Sequence, residues 1–168
     1  VVIKSNLNRK GHLTFGELII PGKSKQEIFI STYICHPAMA NDNLSGMVLW
    51  VLILKWLRSY DHKHSYRFVI APETIGAITY LWKNEEKMKR VNGGYVLTTA
   101  GGPDGFTYSQ SFLGTNEIDR AARLAFADSN IEYTNLFEVL STLNATNQLI
   151  KTFAITTYEY SFKICITK

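Results

Sequence analysis

Four residues of types that do chemistry stand in short, turn-rich stretches of this sequence. His36 lies in Cys35-His36-Pro37, and Asp42 follows in Asn41-Asp42-Asn43. Glu73 lies in Pro72-Glu73-Thr74, and Asp104 ends Gly101-Gly102-Pro103-Asp104. An imidazole with several carboxylates is a hard-to-borderline ligand set. It suits zinc, with manganese or cobalt as alternatives, better than copper or an iron–sulfur cluster. Glu73 can serve as a ligand or as a general base toward a metal-bound water, whose pKa falls from about 15.7 to about 7. The reaction class is then metal-assisted hydrolysis. Each residue also has a plainer reading. His36 can be a loop residue bonded to backbone, Asp42 a helix cap or turn former, Glu73 a partner of the next helix's dipole, and Asp104 a solvated loop side chain. What favours a metal is their joint position.

That position follows from the elements ahead of each residue. Residues 13–20 read as a strand stopped by Pro21-Gly22, and 27–34 as a second strand, β-branched and aromatic. The short turn between them predicts an antiparallel hairpin. Residues 44–60 are apolar on most faces and predict a buried helix, capped by Asp42 or Asn43, with the stripe of 47–57 in the core. A strand follows at 66–71 and a helix at 75–91, closed by Gly93-Gly94. Strands at 95–99 and 106–109 come next, then a helix at 115–128 capped by Thr115 or Asn116. Strands alternating with helices predict an α/β fold with parallel, right-handed crossovers. Ligands bind beyond the carboxyl ends of such strands, and all four residues follow strand ends, on one edge of one sheet. His62 and His64, in a polar loop, are expected to face solvent. The stretch 135–168 contains no Gly, Pro or Asp and offers only weak strand candidates at 152–157 and 162–167.

Composition narrows the classes further. The chain has 168 residues, enough for one domain with a sizeable core. Hydrophobic residues make up 46% and charged residues 19%, below the roughly 25% usual for soluble domains, which excludes global disorder. The net charge of +4 is mild and scattered, so no nucleic-acid stripe is expected. The longest apolar run, 47–54, is far shorter than the ~20 residues of a membrane span. Cys35 and Cys165 are distant in sequence and form no CxxC, which argues against a disulfide framework or a cysteine zinc knuckle. No GxGxxG follows the first strand, so a dinucleotide site is not indicated. With no signal-peptide pattern the expected location is cytoplasmic, and a start at Val1 suggests an excerpt of a longer chain.

The block His36-Pro37-Ala38-Met39-Ala40-Asn41-Asp42-Asn43-Leu44-Ser45-Gly46 resembles the co-catalytic zinc aminopeptidases, which carry a His followed by Asp-Asn-x-Ser-Gly. More narrowly, the chain is similar to a bacterial aminopeptidase-like family of unknown function. The blocks that carry this are ISTYICHPAMANDNLSG at 30–46, YRFVIAPETIGAI at 66–78, FTYSQS at 106–111 and GTNEIDRAARLAF at 114–126. The match spans about 13–133. It implies an incomplete α/β fold of the phosphorylase/hydrolase-like, zinc-peptidase type: three layers, a mixed but mostly parallel sheet, and helices on both faces. The expected division is a partial domain over 1–134 and a divergent tail over 135–168. The resemblance further implies one or two zinc ions, with His36 binding one and Asp42 bridging both. Glu73 stands where those enzymes have a Glu-Glu pair, so its role stays open between ligand and base.

Two departures bear on activity. The family has an acid where Gly102 stands, and Asp104, two positions later, substitutes only if the loop shifts. The family's later Asp-Glu-Arg motif and late His do not occur in these residues. The implied activity is removal of N-terminal residues from peptides, or cleavage of a related small amide, with no nucleic-acid or membrane partner and a homo-oligomer left open. The competing reading is a non-catalytic α/β remnant or binding module. If the motif assignment holds, His36→Ala and Asp42→Ala each abolish zinc uptake by the metal-dialysed chain in elemental analysis; unchanged uptake in both variants would sink it.

Overall fold

The apolar run at 27–34 becomes strand β2 (Glu27–Ile34), flanked on both edges by parallel neighbours. A strand buried in this way needs apolar residues on both faces, which is why its sequence reads as a nearly continuous hydrophobic stretch. The computed structural model describes residues 1–101, 106–111, 114–135 and 165–167. The other elements are β1 (Gly16–Ile20), a π-type turn at Asn41–Ser45, α1 (Gly46–Leu57), β3 (Ser65–Pro72), α2 (Ile75–Lys83) and α3 (Glu85–Met88). They continue with β4 (Val91–Leu97), β5 (Phe106–Ser109), α4 (Glu117–Asp128), β6 (Tyr133–Asn135) and β7 (Cys165–Thr167). The sheet order is β1-β3-β2-β4-β7-β5-β6. Strands β3, β2, β4 and β7 run parallel, whereas β1 is antiparallel to β3 and β5 antiparallel to β7.

Helices cover both faces, as the α/β reading expects. Ile30, Phe68 and Leu97 point to one face, where Leu49, Trp50, Ile53, Leu54 and Leu57 of α1 pack on them. Trp50 stands edge-on to Phe68, with ring centroids 5.3 Å apart, and its indole N–H donates to the Ile30 carbonyl at 3.2 Å. Helix α4 joins the same face through Ile118 and Ala122, near Tyr95 and Tyr108. Phe29, Val69 and Ala71 point the other way, toward Tyr80 of α2 and Met88 of α3. No helix among the described residues is long and apolar enough to cross a membrane.

Several expectations need correction. Strands β1 and β2 form no hairpin: both edges of β2 are taken, and β1 pairs instead with β3 in the register Gly16↔Ile70 to Ile20↔Tyr66. The stripe at 47–57 is only half core. Val48, Val51, Leu52 and Trp56 are exposed, because α1 meets the sheet along one side only. Gly93 and Gly94 do not close a helix. The helical stretch breaks at Asn84, whose side-chain amide donates to the Tyr80 carbonyl at 2.9 Å. The two glycines lie inside β4, where a Cβ on Gly94 would sit 2.6 Å from the Phe29 carbonyl oxygen. His62 and His64 are half-buried rather than solvent-facing. The His62 ring meets Tyr66 edge-on and places Nε2 2.5 Å from the Leu57 oxygen. Of the tail, 165–167 form β7, and the candidate strand at 152–157 lies outside the described residues.

One buried charge ties three strands together. Arg67 of β3, 3% exposed, donates to both carboxylate oxygens of Glu27 on β2, at 2.5 and 2.9 Å. Its third arm lies 3.0 Å from Glu17 of β1, which also accepts a short hydrogen bond from Tyr80. Removing one partner of such a pair leaves an uncompensated buried charge, at a cost of about 3–5 kcal/mol. Arg67→Met therefore loses roughly that much stability in urea unfolding, and a loss under about 1 kcal/mol would show that Glu27 does not depend on this guanidinium.

Candidate metal centre at the carboxyl edge of the sheet

The site grows from the end of β2. Ile34 pairs with Pro72 of β3, and the next two residues are Cys35 and His36. The chain then turns through 37–40 into the π-type turn that carries Asp42. This turn is fastened by the asparagines on either side of Asp42. Asn43 has no exposed surface. Its amide nitrogen donates to Thr32 Oγ1 and to the Tyr33 carbonyl, both at 3.0 Å, and its oxygen accepts from the Thr99 N–H at 3.0 Å. Thr32 in turn donates to the Leu97 carbonyl at 2.9 Å. The Asn41 side-chain oxygen accepts from the Gly101 N–H at 2.8 Å. Neither Asp42 nor Asn43 caps α1, contrary to expectation. The residue directly before α1 is Ser45, and the side chains of Asp42 and Asn43 are bonded to β2 and to Thr99 instead. Gly46 is required by close approach: a Cβ there would lie 2.3 Å from Asn43 Oδ1 and 2.6 Å from the Leu97 oxygen.

Between these fasteners Asp42 is held from both sides. Its Oδ2 lies 3.7 Å from His36 Nε2, and both side chains are about half exposed, at 50% and 51%. Its Oδ1 accepts a hydrogen bond from the Tyr33 hydroxyl at 2.8 Å. That hydroxyl also makes a short contact with Thr98 Oγ1. Burial pushes the Tyr33 pKa up, and the neighbouring Asp42 and Glu73 charges push the same way against a lowering contribution from Thr98. Tyr33 therefore stays protonated and remains a donor to Asp42.

The geometry suits an ion. Two ligand atoms each about 2.0–2.2 Å from one metal lie at most about 4.3 Å apart, and the His36–Asp42 separation falls within that limit. Cys35 Sγ lies beside this pair, the three atoms falling within 4.8 Å of one another. Imidazole, carboxylate and sulfur are a set that zinc accepts.

The sequence candidates divide accordingly. His36 and Asp42 come together. Glu73 lies on the same edge, anchored by its N–H to the Ile34 carbonyl at 3.0 Å and close enough for its charge to act on Tyr33, but it does not belong to the three-atom group. It precedes Thr74, so it is not inside the first turn of α2. Asp104 lies outside the described residues. Thr74 and Thr99, with φ of 56° and 44°, both sit in the left-handed region at this edge. β-branched residues adopt that region only when their surroundings force it, and such strain gathers at functional sites. Sequence reasoning missed Tyr33, Asn43, Thr98 and Cys35. The strand-end rule that found His36 also covers Tyr33 and Thr98, and the polar types of these two were the available signal.

The fold is that of an aminopeptidase-like α/β domain. The chain belongs to the family described as a domain of unknown function, DUF4910, whose model matches residues 5–142 and so extends past the 13–133 stretch that the motifs mark. It is 44% identical over 133 residues to a Clostridium acetobutylicum protein, provisionally described as a polysaccharide biosynthesis protein with an aminopeptidase-like domain. That match covers 79% of this chain and 30% of the relative. A crystal structure from C. acetobutylicum, provisionally described as a peptidase, superposes with a TM-score of 0.74 at 35% identity. It covers 90% of this chain and 35% of that one. The fold is shared with an aminopeptidase from an Aneurinibacillus strain (TM-score 0.65, 14% identity, 91% of this chain and 38% of that one). It is also shared with a glutaminyl cyclase from an Acidobacteriales bacterium (TM-score 0.55, 16% identity, 74% and 52%). The chain thus spans about a third of the length of its C. acetobutylicum relatives.

Groups that orient metal ligands typically contribute 10–100-fold to affinity. Tyr33→Phe removes the donor to Asp42 while keeping the ring, so zinc affinity measured by chelator competition is expected to fall by about that factor with the unfolding midpoint little changed. An affinity equal to wild type would show that Asp42 needs no such support.

Proposed function

We propose that this chain is the metal-binding part of a zinc-dependent hydrolase of the aminopeptidase type, acting on the N-terminal residue of a peptide or on a related small amide. The observation that carries this reading is the approach of His36 to one oxygen of Asp42 while Tyr33 holds the other. Tyr33 fixes one oxygen of this carboxylate and leaves the other beside His36, free to take an ion. The family membership and the aminopeptidase-like relatives support the same reading.

His36 and Asp42 would hold zinc, with manganese or cobalt as substitutes. When bound, zinc supplies a water acidified toward neutrality and polarises a carbonyl oxygen. The protein side chains do the rest. Tyr33 stays protonated and keeps Asp42 from rotating. Glu73 is exposed on the same edge and outside the ligand group, which favours the general-base role over the ligand role. It would take a proton from the attacking water and return it to the leaving amine. Thr74, strained directly after it, fixes where that carboxylate begins.

General bases contribute about 10²–10⁴-fold. With a chromogenic aminoacyl anilide, Glu73→Gln is therefore expected to keep zinc uptake and lower kcat by a factor in that range. Zinc-loaded wild-type chain that hydrolyses no such amide would instead favour the binding-module reading.

A further inference from the structure

Cys35 forms no CxxC with Cys165 in the sequence, and the fold brings it beside His36 and Asp42. Its Sγ, a ring nitrogen of His36 and an oxygen of Asp42 all lie within 4.8 Å of one another. Cys35 is neither buried in the core nor fully exposed, and it makes no disulfide. It lies directly beyond β2, whose last residue is pinned by Pro72 and by the Glu73 N–H. The backbone that presents the sulfur is therefore fixed on the strand side. On the other side the π-type turn is fixed by Asn43 and Asn41. The three ligand atoms are held by two anchored segments rather than by one free loop.

We propose that Cys35 is a metal ligand, completing a Cys35–His36–Asp42 set for a single divalent ion. This rests on the metal-site reading of His36 and Asp42 and adds a ligand to it. A zinc ion bound through one sulfur, one nitrogen and one oxygen, with one position open, has the coordination of a catalytic rather than a structural site. The sulfur binds as thiolate, its proton passing to solvent as the ion enters. The added thiolate also changes which ion fits. A site of imidazole and carboxylates alone accepts manganese, whereas one with sulfur favours zinc over manganese. The thiolate offsets one charge of the ion, which lets the site hold it without a second close carboxylate.

Cobalt(II) tests this without reference to activity, since thiolate ligation gives a sulfur-to-cobalt charge-transfer band in the near ultraviolet. The full chain is used with Cys165→Ser, so that Cys35 is its only thiol, and compared with the same chain carrying Cys35→Ser as well. The expected result is the band in the first protein and its loss in the second, with cobalt uptake by elemental analysis weakened but still dependent on His36 and Asp42. Cobalt bound by the Cys165→Ser chain with no such band overturns the assignment of Cys35 and leaves the His36–Asp42 reading standing. A band that persists after Cys35→Ser overturns it as well. Uptake that survives both His36→Ala and Asp42→Ala overturns the underlying site and the inference together. Matching far-ultraviolet circular dichroism for the two proteins separates loss of ligation from loss of fold.

Discussion

The side-chain amide of Asn43 is the point on which the site depends. It is fully buried, and all its bonds run to the carboxyl ends of β2 and β4: Thr32 and Tyr33 on one strand, Thr99 beyond the other. A buried amide that lost these partners would cost about 1–3 kcal/mol per unsatisfied group, so the turn at Asn41–Ser45 has one energetically acceptable seat. Asp42, immediately before it, is placed as a consequence. The glycine at 46 follows from the same seat, because any side chain there would collide with Asn43 and with the Leu97 carbonyl. The Asp-Asn-x-Ser-Gly pattern is thus a packing solution as much as a chemical one. The Asp faces outward toward His36, the Asn faces inward to hold the turn, and the Gly leaves room for the Asn.

A second layer of constraint lies under the sheet's other face. Buried Arg67, Glu27 and Tyr80, with the exposed Glu17, form a polar group that fixes β1, β2 and β3 against one another at the end of the sheet opposite His36 and Asp42. Polar groups inside a low-dielectric core favour one arrangement because alternatives leave charges unpaired. The molecule therefore uses directional bonds twice: at the ligand edge to place a turn, and beneath α2 to fix strand order. Between the two, the apolar clusters of Phe68, Ile30 and Leu97 supply bulk cohesion without specifying position.

Much of this was legible in the sequence. The α/β alternation, the central strands, α4 and the placement of His36, Asp42 and Glu73 on one edge follow from hydrophobic runs and strand-end position. The failures have physical causes. The hairpin reading assumed that neighbours in sequence pair, but β2 had no free edge to offer. Gly93-Gly94 looked like punctuation because glycine ends helices, whereas here it permits the close approach of Phe29 and Ile118. Asn43 looked like a helix cap because its type suits that role. Only the tertiary contacts with β2 and β4 show that it faces inward. Tyr33 and Cys35 lie inside the block that carries the resemblance, but their residue types gave no reason to single them out, and their position beside Asp42 and His36 appears only once the turn has folded back on the strand.

The position of β7 has a consequence for how the chain assembles. Among the described residues, strands β5 and β6 pair with the other strands only through β7, which lies between β4 and β5 although it comes much later in the chain. During synthesis, β1 to β4 with α1 and α2 can pair as soon as they emerge, since their partners are already present. The β5–β6 ribbon must wait beside them, docked only by α4, until the stretch that carries β7 arrives. Contacts so distant in sequence close slowly, and unpaired edges invite wrong neighbours meanwhile. The turn that carries Asp42 draws its partners from β2, β4 and the residues just beyond β4, so it can form before that seam shuts.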